Sequence, residues 1–117
     1  MVPVLQILNV TRGFVIGDFI DVADTSSKRR TGLLKHKGLD RGQGLWIVPC
    51  EAVHTFGMKF TIDVLFLDKK RKVLKIRKDM VRRRMAICLF AHSVLELPAG
   101  TVAASGTMPG DQLELTR

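Results

Sequence analysis

Apolar residues in this chain come in short bursts separated by turn-forming positions. Val4, Leu5, Ile7, Leu8 and Val10 form the first, and Phe14, Val15 and Ile16 the second, with Phe19, Ile20 and Val22 close behind. Leu45, Trp46, Ile47 and Val48 follow, bounded by Gly44 and Pro49, and then Ile62 with residues 64–67. Val73, Leu74 and Ile76, residues 85–90, residues 94–97, and finally Leu113 and Leu115 complete the series. Bursts rich in branched and aromatic side chains, spaced about 8–12 residues apart with turn residues between, predict strands of a sandwich or barrel. Two segments predict helix instead. Asp24, Thr25 and Ser26 offer N-caps to the run SSKRRTGLLKH. Gly32 lies inside that run, where it is expected to cost about 1 kcal/mol relative to Ala. After Pro98, residues 99–104 have room for one or two turns. The fold expected is mainly β: a compact antiparallel sandwich or partly open barrel, with one short helix near 25–35 and a helical turn near 99–104. The spacing implies about seven to nine strands.

Composition narrows the class. The chain of 117 residues fits one domain, 1–117, and is 46% hydrophobic and 26% charged, a globular balance that argues against disorder. Aromatics are 6% with no Tyr, so the core is expected to be aliphatic. Cys50 and Cys88 are too few for a disulfide scaffold or a four-cysteine zinc site. No apolar run approaches the roughly 20 residues of a transmembrane segment. The opening MVPVLQILNV carries no basic residue before its apolar stretch, unlike a secretion signal. A cytoplasmic protein with reduced cysteines is therefore expected.

The charge is concentrated. The formal net charge is +8. Residues 69–84 hold Lys69, Lys70, Arg71, Lys72, Lys75, Arg77, Lys78, Arg82, Arg83 and Arg84 against the single acid Asp79, a net of +9, so the rest of the chain nets −1. Alternation with Leu74 and Ile76 places Lys75 and Arg77 on the solvent side of a strand. Such a segment is either an anion-binding face, for nucleic acid, acidic protein or a lipid surface, or a solubilising hairpin that guards against edge-to-edge association. It contains no aromatic residue for base stacking and no helix-turn-helix or zinc-finger pattern.

Candidate chemistry sits in the apolar middle, CEAVHTFGMKFTIDVLFLD, residues 50–68. Asp63 lies between Ile62 and Val64, and strand alternation puts it on one face with Leu65 and Leu67. A carboxylate buried there must be hydrogen-bonded, paired, or shifted in pKa. Loop N–H groups and His54 are the expected partners. Asp63 and His54 are expected either as a structural polar pair under a loop or as part of a polar pocket around His54, Thr55, Met58, Asp63 and Cys50, the candidate ligand site. A hydrolase using Cys50, His54 and Asp63 as nucleophile, base and orienter is a third reading, after pocket binding and the basic face. His36 and His92 stand alone, and no Gly-x-x-x-x-Gly-Lys phosphate loop occurs, so neither metal nor cofactor is expected. Met58, Met80, Met85 and Met108 are expected as core fillers, Trp46 as a core or barrel-mouth anchor, and Gly100, Gly106 and Gly110 as turn glycines.

Three blocks, RRTGLLKHKGL, GLWIVPCEAVHTFGMKFTIDVLFLD and VLELPAGTVAASGTMPGDQLEL, resemble the prokaryotic family known as domain of unknown function one-ninety-two. The resemblance rests most on the central block, with His54 where the family has an aromatic or His, and Asp63 where it has Asp. It implies a compact, mostly β fold with a short helix and no assigned activity. It also implies a pilus- or secretion-related context, since members are sometimes encoded beside pilus-assembly genes and many carry an export signal. This chain departs from the pattern at Thr61, where a Pro is usual, and at residues 70–72, where an Asp-Gly turn is usual. It departs again at residues 82–84, where a Pro and an aromatic are frequent. The basic segment is thus a feature of this chain, and the lost glycine predicts a looser loop at 70–72.

Overall fold

The computed structural model describes residues 4–117. Nine strands form: β1 Leu5–Asn9, β2 Phe14–Ala23, β3 Gln43–Ile47, β4 Ala52–His54, β5 Ile62–Leu67, β6 Val73–Met80, β7 Met85–Ile87, β8 Ser93–Pro98 and β9 Leu113–Thr116. Seven make one sheet in the order β6-β5-β8-β3-β2-β1-β9, and β4 pairs with β7 in a second. The second and third apolar bursts fuse into the single long β2, and β4 arises from residues 52–54, which belong to none of the bursts. Pairing is antiparallel except between β2 and β3, which run side by side in the same direction. Residues 24–42, including α1, carry the chain back to the starting end of β2, which makes the parallel pair feasible.

The large sheet is curled. Its outermost strands, β6 and β9, approach at one end through a bridge between Lys72 and Gln112. Main-chain bonds from Val73 N to Asp111 O (2.9 Å) and Leu113 N to Arg71 O (3.0 Å) reinforce it. This is the partly open barrel that the strand spacing predicts. The curl creates two cores. Leu65, Leu67, Ile7, Ile20, Leu95 and Leu97 pack on the inner face, closed by Val102 of α2 (Thr101–Ser105). Ile62, Val64, Phe66, Leu45 and Val94 pack on the outer face, covered by Leu33, Met58 and the inward-facing Val53 and Ala86 of the small sheet. β5 is buried on both faces, which explains its near-continuous apolar run.

Helix α1 (Ser26–Thr31) starts as expected, with Thr25 Oγ1 accepting the Lys28 N–H at 3.2 Å. Gly32 is not inside it. At φ +47° it terminates the helix, so the expected interior penalty does not apply. Gly100, Gly106 and Gly110 all take positive φ at turns. At the 68–72 loop, Asp68 Oδ1 accepts the N–H groups of Lys70 (2.8 Å) and Lys72 (2.9 Å), and Arg71 adopts φ +67° in place of the absent glycine. Met58 and Met80 are core residues, whereas Met85 and Met108 are exposed, because β7 turns Met85 to its outer face and Met108 sits in the turn before β9. Trp46 is half-buried against the inner core with the Arg71 guanidinium 5.0 Å from its ring centroid.

Candidate functional site

Asp63 is a buried carboxylate, as alternation predicts, and both its oxygens are engaged by backbone. Oδ1 accepts the Asp79 N–H and Oδ2 the Val102 N–H, each at 2.9 Å. Two structural needs explain this. Opposite Asp63, β6 carries an extra residue, so that Ile62 faces Met80 but Val64 faces Arg77, and Asp79 takes φ +51° there. Helix α2 begins after Gly100, which has no side chain to cap it. Asp63 from the neighbouring strand satisfies an open donor of each. Of the two expected partners, backbone N–H groups are supplied, but from a strand bulge and a helix start and not from a loop; His54 is not among them.

Thr55 is likewise a fastening. Its hydroxyl donates to Val81 O (2.6 Å) and accepts from Arg84 N (2.8 Å), while its own N–H reaches Arg84 O (2.8 Å). The 82–84 loop is thereby pinned to β4.

His54, Cys50 and Met58 do come together. They line a small cleft of ≈ 80 Å³ on the outer face, between α1 with its following turn and the start of the small sheet. Asp63 and Thr55 are not part of it; Asp63 lies on the opposite face of β5, with the inner core. The cleft's remaining polar groups are Arg29, Arg30, Thr31 and Glu96. Glu96 is the residue the sequence reading passes over. It stands on β8 opposite Val64 on one side and Leu45 on the other, both outer-core residues, and is 4% exposed. Its carboxylate makes no hydrogen bond or ion pair among the described residues. A Cβ built on Gly32 would lie 3.8 Å from Glu96 Oε1, so the carboxylate sits beneath the end of α1. Burial among aliphatic neighbours pushes the Glu96 carboxyl up to about 7.

Cys50 donates its S–H to Ala52 O at 3.1 Å. Burial raises its pKa, with the hydrogen bond to Ala52 opposing and Glu96 adding to the rise. A thiol so placed is a poor nucleophile. No group of three His, Cys, Asp or Glu residues suited to a metal ion occurs among the described residues.

The basic segment is only partly free. Lys75 and Arg77 are half-exposed: β6 turns them to the outer face, opposite Phe66 and Val64, alongside β7. Lys75 Nζ donates to Ile87 O at 2.8 Å and Arg77 Nη1 to Met85 O at 3.4 Å, so both cover carbonyls on the edge of β7 that β4 does not pair. Lys69, Lys70, Lys72, Lys78 and the three arginines 82–84 are exposed. No helix among the described residues is long and apolar enough to cross a membrane.

The same fold occurs in a candidate transcription regulator from Sinorhizobium meliloti 1021, with a TM-score of 0.82, 24% identity and coverage of 95% of this chain and 91% of that one. It recurs in a protein of unknown function from Novosphingobium aromaticivorans, at TM-score 0.82 and 22% identity, covering 97% and 84% of the two chains. Among curated proteins, the chain is 31% identical over 115 residues to a UPF0127 protein of Pyrococcus furiosus, covering 94% of this chain and 97% of that one. It is 28% identical over 114 residues to a UPF0127 protein of Thermococcus sibiricus, covering 93% and 73%. The family model DUF192, described as Uncharacterized ACR, matches residues 7–115. The resemblance seen in the three sequence blocks therefore holds across nearly the whole chain, which belongs to the DUF192 family.

Proposed function

We propose that this protein is a binding module whose ligand enters the outer-face cleft and is held by Glu96. One observation carries the reading: a carboxylate that is 4% exposed, lines a cleft, and makes no hydrogen bond or ion pair among the described residues. Buried polar groups are ordinarily satisfied, and an unsatisfied one is costly. A group that donates hydrogen bonds and carries positive charge, an ammonium or a guanidinium, would remove that cost on entering. The cleft, at ≈ 80 Å³, admits the end of such a ligand and leaves the rest outside. Arg29 and Arg30 at the cleft favour a ligand that is anionic away from its cationic end, such as a small amino-acid-like zwitterion. The hydrolase reading is weaker, since Cys50 already donates its proton to a carbonyl and is pushed away from the thiolate.

The test is thermal. Small primary ammonium compounds, guanidinium compounds and amino acids are added at pH 8, where Glu96 is ionised and unpaired. A binder raises the melting temperature at pH 8 more than at pH 5, and Glu96→Gln abolishes the response. A response of equal size in Glu96→Gln, or none from any member of the three classes, contradicts the reading.

A further inference from the structure

Among the described residues, nothing packs on the outer face of the small sheet. The cross-strand pairs Ala52–Ile87 and His54–Met85 point away from the core, while Val53 and Ala86 between them point inward. Beyond β7 the chain continues through Leu89, 67% exposed, and Phe90, which is 91% exposed and held at φ +71°. Large side chains displayed this fully cost solubility, and contiguous ones mark an interaction surface. Charge flanks them at both ends. Lys69, Lys70 and Lys72 share a depression with Phe90 and His92. Arg82, Arg83 and Arg84 immediately precede Met85, and Thr55 fixes that loop against β4. Lys75 and Arg77 run between the two groups and hold the edge of β7 in place.

We infer that this face docks peripherally on an anionic phospholipid surface, with Leu89 and Phe90 entering the headgroup–acyl boundary and residues 69–72 and 82–84 contacting lipid phosphates. Leu89 and Phe90, 67% and 91% exposed, protrude even though Phe90 borders the depression with the lysines, as lipid insertion requires. Three of the four exposed side chains on this ridge, Met85, Ile87 and Leu89, are not aromatic, so they partition into lipid but give no platform for stacked bases. The capped edge of β7 also leaves no site for an added strand. Clustered basic residues supply attraction to acidic headgroups, and this attraction is screened by salt.

The experiment is co-sedimentation with vesicles of phosphatidylcholine alone and of phosphatidylcholine with about one third phosphatidylglycerol, at low and high salt, beside a single-stranded oligonucleotide titration. The protein is expected to sediment with the anionic vesicles, to be released by salt, and to ignore the neutral ones. Leu89→Ser with Phe90→Ser is expected to weaken vesicle binding at least tenfold. Arg82→Ser, Arg83→Ser and Arg84→Ser together are expected to weaken it about a hundredfold, from about a fivefold contribution per basic residue near the surface. All five positions are exposed, so unchanged melting temperatures separate lost docking from lost folding. Equal binding to both vesicle types, no loss in the Leu89/Phe90 variant, or tight oligonucleotide binding without vesicle binding would overturn the proposal, the last in favour of nucleic acid.

Discussion

Asp63 and Glu96 stand on paired strands, one residue out of register: Asp63 faces Leu97 and Val64 faces Glu96. Both are acids inside apolar runs, and both are almost wholly buried. They point to opposite faces of the sheet and have opposite fates. Asp63 meets two backbone donors, at a bulge and at the start of a short helix, and holds the fold together. Glu96 makes no hydrogen bond or ion pair among the described residues, and its carboxyl rises to about 7. An acid in a strand is thus not itself a functional sign. The useful question is whether the surrounding backbone has unpaired N–H groups to offer it.

The comparison is broken most forcefully at Asp63. Asp63→Ala leaves two donors, those of Asp79 and Val102, without their acceptor, and the loss is expected to be about 3 kcal/mol, counting about 2 kcal/mol for the buried Val102 N–H and about 1 kcal/mol for the part-buried one of Asp79. Chemical denaturation measures it, and amide exchange should quicken first at Val102 and Asp79. A loss below about 1 kcal/mol would mean that the two bonds are replaced by water and that Asp63 is no fastening.

At Glu96 the sign reverses. The folded carboxyl titrates near 7 against an ordinary 4.5, so between these values the folded state keeps a proton that the unfolded chain has released. Stability from this residue is full below about pH 4.5, declines as pH rises, and is lost above 7, by on the order of 3 kcal/mol in total. Glu96→Gln removes the charge, and is expected to be more stable than the parent by on the order of 3 kcal/mol at pH 8, with little difference at pH 5. Melting curves at the two pH values check this; a variant less stable than the parent at pH 8 would show that the carboxylate has a partner. The gain from removing a residue that the fold does not need is what a ligand-binding group predicts.

How much was legible beforehand follows from the range of each signal. Local signals carried well: the two-residue period of β5 placed Asp63 with Leu65 and Leu67, Thr25 capped α1, and the turn glycines took positive φ. Long-range ones did not. The solvent side assigned to Lys75 and Arg77 is the outer face, because a second sheet lies beside it, and nothing in residues 73–80 announces that sheet. The parallel β2–β3 pair depends on where residues 24–42 return the chain, which no local pattern specifies. The site was half legible. Cys50, His54 and Met58 share the cleft, but Glu96 belongs to it in place of Asp63. The clue was in the sequence, since Glu96 between Leu95 and Leu97 repeats the pattern of Asp63 between Ile62 and Val64. Choosing between the two acids required knowing which backbone donors lay near each.

The most direct measurement is a titration of the Glu96 side-chain carboxyl by carbon-13 NMR in the ligand-free protein. The account predicts a midpoint close to 7, displaced downward when an ammonium or guanidinium ligand fills the cleft. A midpoint near 4.5 would show a solvated or already paired carboxylate, and the cleft would lose the group that makes it a site.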